Sequence, residues 1–203
     1  PSTLEQLRRF VQFAQRSPED QQALLRMITR FALQPATALA AVFALGVVVP
    51  LLEEAAKSIG ALIALSRRPG PAAAFLGGAL SGAGYAVFEN LFITQPGPAW
   101  GLSSVGRIGT ALMHIFAAGL TGWGLGEAFV RRKWLRLLLA YAGAVALHGL
   151  WNSLALAQIY GALLAEYGPE RWQTLGQAAQ IVAPLLLVGL PQDAKAKRTL
   201  TNL

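Results

Sequence analysis

Cysteine is absent from the 203 residues. That excludes disulfide frameworks, thiol nucleophiles and Cys-ligated metal sites, and it leaves the redox compartment unread. Charge is almost as scarce: 13% of residues are Asp, Glu, Lys or Arg, against 54% hydrophobic, and the mean hydropathy is +0.46. Soluble domains carry about a quarter charged residues, so an ordinary soluble domain is excluded. There is no low-complexity tract, no repeat of fixed period and none of the sustained apolar/polar alternation that a membrane β-barrel requires. The opening PSTLEQLRRF is polar and does not read as a cleavable signal peptide; a first residue other than Met leads us to expect chain upstream.

The charge that is present is basic, 17 Lys+Arg against 10 Asp+Glu, for a net +7. The bases lie in short clusters between long apolar stretches, which is the pattern of membrane loops and not of a nucleic-acid surface. Apolar stretches cover residues 32 to 66, with only Glu53, Glu54 and Lys57 charged, and then about 71 to 95, 107 to 130, 134 to 160 and 173 to 190. Each approaches or exceeds the roughly 20 residues of a helical crossing. The expected fold is therefore all-α, a polytopic transmembrane helical bundle of five or six spans. Ahead of it, Ser2 or Thr3 caps one amphipathic helix bearing Leu4, Leu7, Phe10, Val11 and Ala14. Ser17-Pro18-Glu19-Asp20 starts a second, with Leu24, Leu25, Ile28 and Phe31 on one side. We expect residues 1–33 to be an amphipathic juxtamembrane segment, 34–192 the bundle and 193–203 a basic cytoplasmic tail.

Arg67-Arg68, Arg131-Arg132-Lys133 with Arg136, and Lys195, Lys197 and Arg198 are each separated by two proposed crossings, so all three clusters can face the cytoplasm. Arg26 and Arg30 join them only if residues 32 to 66 cross twice about Pro50, and the positive-inside rule favours two crossings over one kinked helix. Gly78-xxx-Gly82 with Gly77, Ser81 and Gly84, and Gly122-xxx-Gly126 with Gly119, are assigned to close helix packing; no strand precedes them, as phosphate binding would require.

Ionisable groups at membrane depth cost roughly 2.5–3.5 kcal/mol each on insertion scales and by default mark function. Glu53 and Lys57 are four apart and can neutralise each other, with Glu54 on an adjacent face. Glu89 lies deep in an uncharged stretch with Tyr85 one turn away. The two histidines, His114 and His148, are both flanked by apolar residues, and His148 shares a helix face with Asn152 at i and i+4. Glu127, beside Arg131-Arg132, is read as an interfacial salt-bridge residue. Four spans thus offer Glu53 and Glu54, Glu89, His114, and His148 with Asn152. One shared intramembrane site is the economical explanation, and its carboxylates, imidazoles and amide suit activation of water better than covalent catalysis. That points to a hydrolase and, at this depth, a protease.

In order along the chain, Glu53-Glu54-x-x-Lys57, Gly84-x-x-x-Phe88-Glu89-Asn90, His114 and His148-x-x-Trp151-Asn152 resemble the PrsW-type intramembrane protease family over about residues 45 to 155. More distantly the pattern is similar to the CaaX prenyl endopeptidase and bacteriocin-processing superfamily. There the double-Glu motif carries an Arg one position later than Lys57, which argues against prenyl-protein substrates here. The resemblance implies a polytopic helical membrane protein of a prokaryotic cytoplasmic membrane that cleaves membrane proteins, with anti-sigma factors among the substrates. It implies Glu54 or Glu53 as general base, His148 and Asn152 positioning water or stabilising the oxyanion, and His114 completing the site. Glu89 would orient a histidine or act as an additional ligand. A zinc ion on His114, His148 and Glu89 with a fourth position for water fits this inventory. No His-Glu-x-x-His helix is present, however, and a second carboxylate with Asn152 could activate water unaided. The competing functions are a proton or ion transporter and a non-catalytic scaffold or immunity protein whose polar residues only hold helices together.

Overall fold

A computed structural model describes residues 18–93 and 100–188. The first expected amphipathic helix and the basic tail fall outside these residues. Within them the chain is helical, with no strand. Helix α1 runs Pro18–Ala32, and a turn at Leu33 and Gln34 leads into α2, Pro35–Phe43. A π segment, Ala44–Val48, joins α2 without a break to α3, Val49–Arg67, and α4 (Pro71–Ile93), α5 (Trp100–Arg131), α6 (Trp134–Tyr167) and α7 (Glu170–Val188) follow.

Four helices are long and apolar enough to cross a membrane: Pro35–Arg67, Pro71–Leu91, Arg107–Arg131 and Trp134–Tyr167. The chain is an α-helical integral membrane protein, with four such spans among the described residues where the sequence suggested five or six. Two features account for the difference. The stretch around Pro50 crosses once, as one helix of 33 residues. Helix α7 opens with Glu170 and Arg171 and carries Gln173, Gln177 and Gln180, and it is not among the helices long and apolar enough to cross.

Pro50 has no N–H for the carbonyl four residues earlier. The chain absorbs this through the π segment, in which the Val49 N–H reaches Ala44 O five residues back, and the helix continues. Because this stretch crosses once, Arg26 and Arg30 lie at the opposite end of the bundle from Arg67, Arg68, Arg131, Arg132 and Lys133. The preference for two crossings is thereby corrected.

The interior is built from small residues, with Ala61, Ala74, Ala117, Ala118, Ala128 and Ala144 all fully buried. Large apolar side chains point outward instead, among them Leu39, Leu80 and Leu91, as suits a chain whose solvent is lipid. A Cβ on Gly78 or Gly82 of α4 would collide with the Ala118 or His114 carbonyl, and one on Gly122 or Gly126 of α5 with Ala74 O or Pro71. These two glycine pairs bring α4 and α5 into backbone contact. Gly60 and Gly77 do the same for α3 and α4, and Gly46 and Gly149 for the π segment and α6. Gly84, expected among the packing residues, meets nothing within 4 Å.

At the basic end the buried Glu127 carboxylate accepts from Arg131 Nη1 and Arg136 Nη1, both at 2.6 Å, with Lys133 Nζ at 3.9 Å. It ties the end of α5 to the start of α6, the interfacial role read from the sequence.

Candidate active site

Among the largest fully buried side chains are Lys57, His114, His148 and Glu54, all polar and all in one cluster. Burying such groups in an apolar, alanine-packed interior is costly unless they satisfy one another. Helix α3 presents Glu53, Glu54 and Lys57, α4 presents Tyr85 and Glu89, α5 His114 and α6 His148. The close crossing at Gly82 and His114 O sets α4 beside α5. That at Gly46 and Gly149 sets His148 beside α3, with the Glu54 contact following directly from it.

Glu54 is the centre. Its Oε1 accepts from Lys57 Nζ at 2.8 Å and from His148 Nδ1 at 2.9 Å. Its Oε2 is buried and has no hydrogen-bond partner. With Nδ1–H donating to Glu54, the lone pair of His148 resides on Nε2, which faces Glu53 Oε2 at 3.7 Å. Lys57 Nζ lies 3.4 Å from Glu53 Oε2, 2.7 Å from His114 Nδ1 and 4.3 Å from the Tyr85 ring centroid. Because Lys57 can only donate, His114 accepts at Nδ1, and its Nε2–H donates to Glu89 Oε2 at 3.1 Å. Glu89 Oε2 is also paired with Arg107 Nη2 at 2.9 Å. The two imidazoles meet edge to face with centroids 4.8 Å apart. Three carboxylates, Glu53, Glu54 and Glu89, thus stand against two cations, Lys57 and Arg107.

The structure therefore brings together Glu53, Glu54, Glu89, His114 and His148, the residues singled out from the sequence. Asn152 is placed differently. Its Nδ2 donates to Leu45 O at 2.9 Å, inside the π segment, so the amide secures that irregular turn against α6. Two residues went unnoticed as site members. Tyr85 packs its ring on both Lys57 and His114, with centroids 5.2 Å apart in the second pair. Arg107 could have been found by periodicity, since seven residues separate it from His114 and put both on one helix face.

Glu53, His114 and His148 offer one ligand atom each, all within 4.8 Å of one another. The carboxylate grouped with the two imidazoles is thus Glu53, where the sequence reading had placed Glu89; Glu89 orients His114 from its far side. Several observations fit a divalent ion at this cluster: two imidazoles and a carboxylate as donors, the His148 Nε2 lone pair turned inward, and Glu54 hydrogen-bonded to the other nitrogen of His148. A carboxylate fixing the tautomer of a ligating imidazole is the usual outer support of zinc. Lys57 Nζ contacts two of the three donors, Glu53 and His114, and so competes with an ion for them.

The family model for the PrsW family intramembrane metalloproteases matches residues 21–188. The chain belongs to that family. It is an intramembrane endopeptidase, a membrane-embedded hydrolase acting on membrane-protein substrates within the bilayer. Neither the curated proteins nor the solved structures hold a match to it. The region matched to this PrsW protease family contains every residue of the cluster.

Proposed function

We propose that this protease hydrolyses peptide bonds with water activated by Glu54, in a site completed by Glu53, His114 and His148. The observation that carries the proposal is the Glu54 carboxylate, fully buried, tied at Oε1 by Lys57 and His148, and free at Oε2. A fixed carboxylate with one unpartnered oxygen keeps a lone pair for the proton of a water admitted to the site, and the same group can return it to the departing amine. Glu53, with its side chain 22% exposed, stands at the mouth where water and substrate arrive. His148 is held by Glu54 with Nε2 presented to the site, and Lys57 Nζ supplies positive charge for the oxyanion as the tetrahedral carbon forms. Glu89 and Arg107 fix the ring of His114, and Asn152 acts one step back, by holding the π turn that positions α3.

A divalent ion, zinc by its preference for such donors, would be held by Glu53, His114 and His148, where it would acidify water and polarise the peptide carbonyl. The substrate is an unwound stretch of a membrane protein, because a helix keeps its peptide groups satisfied and closed to attack. An anti-sigma factor in a prokaryotic cytoplasmic membrane is the substrate and setting that the family resemblance suggests.

The test is peptide-level mapping of new membrane-protein termini in cells making equal folded amounts of the intact chain or Glu54→Gln. Fragments found only with the intact chain are expected, a loss of ~10²-fold or more in the variant. Identical termini from both would overturn the assignment of Glu54. A transporter would show altered ion flux and no new termini.

A further inference from the structure

A cavity of about 340 Å³ lies beside the cluster, lined by Ala55 and Ser58 of α3, Thr121 and Leu125 of α5, and Trp134, Leu137, Leu138 and Tyr141 of α6. Its place along the bundle follows from helix arithmetic. Thr121 is seven residues after His114 on α5, Tyr141 seven before His148 on α6, and Ser58 four after Glu54 on α3. Each lies on the same helix face as its site residue, two turns or one turn away. Because α5 and α6 are antiparallel, all three displacements point toward the end that carries Arg67, Arg131 and Lys133. The cavity therefore lies on the basic-end side of the site, ~10 Å from it at 1.5 Å per residue, with no residue of the cluster in its own lining. It opens outward at Trp134 and Leu138, which are 51% and 63% exposed.

We propose that this groove receives the substrate chain as it approaches from the basic-end leaflet, and that it selects an apolar side chain about three residues from the cleaved bond, since an extended chain covers ~10 Å in three residues. The inference rests on the protease reading above. The occupant is a peptide and not a lipid tail because of Thr121. That residue is 2% exposed, and its Oγ1 has no hydrogen-bond partner although it lines the cavity. An acyl chain leaves such a hydroxyl orphaned, whereas an extended peptide brings a carbonyl that accepts from it once the Thr121 side chain rotates to face the cavity. Tyr141 contributes nothing polar in its place, because its hydroxyl already donates to Leu51 O at 2.6 Å. The remaining lining is apolar and, at about 340 Å³, sits at the small end of ligand-sized cavities, ~300–1,000 Å³. The groove thus reads a short side chain and not a whole helix.

The experiment compares cleavage-site sequences from mapped termini for the intact chain, Leu138→Trp, Thr121→Val and Glu54→Gln, at matched membrane-inserted amounts. Leu138 sits on the lipid-facing lip, so its substitution narrows the groove without entering the packed interior. Glu54-dependent sites from the intact chain should favour a medium apolar residue three positions from the cut, on the side running toward the basic end. Leu138→Trp should cut such sites ~10-fold or more slowly while sparing those with Gly or Ala there, the discrimination expected when an apolar pocket changes by a few carbons. Thr121→Val, which keeps the shape, should slow all sites alike, because a backbone carbonyl is common to every sequence. If cleavage depends on Glu54 but the preference stays unmoved in Leu138→Trp, as when lipid fills the groove, the inference is overturned and the protease reading stands. If no cleavage depends on Glu54, both fall.

Discussion

At the scale of single residues, Lys57 is the side chain on which the cluster turns. It is buried among Glu53, Glu54 and His114 and contacts all three. Lys57→Met keeps its shape and removes the charge, leaving two carboxylates without their cation. Breaking a buried pair in this way costs ~3–5 kcal/mol. We expect Lys57→Met to melt well below the intact chain in chelator and to recover when zinc is added, because the ion takes the place of the lost cation on Glu53 and His114. Thermal unfolding in detergent with and without zinc checks this; a variant whose melting ignores zinc would contradict the ligand assignment. The sequence disclosed most of this site, since Glu53, Glu54, Glu89, His114 and His148 are the only carboxylates and imidazoles deep in apolar stretches apart from Glu127. It did not disclose which carboxylate joins the imidazoles. Glu53 and Glu89 are equivalent as letters in a motif, and the choice is made by the contact of the π segment with α6 at Gly46 and Gly149, a contact between distant residues. Asn152 shows the limit of spacing arguments: at i+4 from His148 it shares a face with it, yet the π turn offers Leu45 O to the amide, and Pro50 alone does not tell from sequence that the helix there takes a π turn.

Helices set the geometry, and at their scale glycines decide which backbones touch. Gly82 and Gly84 look alike in the sequence, two small residues in one apolar run. A Cβ on Gly82 meets His114 O, whereas one on Gly84 meets open space. Gly82→Val should push α4 away from α5, lower stability by ~1–3 kcal/mol and reduce cleavage, since Glu89 and Tyr85 would move off His114. Gly84→Ala should leave both within the ~0.5 kcal/mol of a neutral exposed change. Chemical unfolding and termini mapping on the pair provide the check. Glu127→Gln is a further contrast. It loosens Arg131 and Arg136 from the start of α6 and should lower the melting temperature while cleavage by the remaining folded protein is retained, because no atom of that cluster reaches Glu53 or Glu54.

For the whole molecule, one helix of 33 residues through Pro50 puts Gln34 at one end of the bundle and Arg68 with Lys133 at the other. Since the chain has no cysteine, single substitutions report this cleanly. With the basic end in the cytoplasm, a membrane-impermeant thiol reagent on intact cells should label Gln34→Cys and spare Arg68→Cys and Lys133→Cys until the membrane is opened. Labelling of all three from one side would restore the two-crossing reading. Apolar stretch lengths made the helical membrane class legible, but the span count was not, because a proline within a long apolar run fits both a hairpin and a continuous helix. In the proposed mechanism, residues from separate helices act as one water-activating unit. Groups that act as a unit are grossly non-additive, so removing two costs little more than removing one. The most direct test therefore measures new-termini yield for Glu54→Gln, His148→Gln and the double variant, at equal folded amounts. We predict that each single variant loses ~10²-fold or more and that the double variant loses scarcely more than either. Substantial cleavage in either single variant, or losses that multiply in the double, would contradict it.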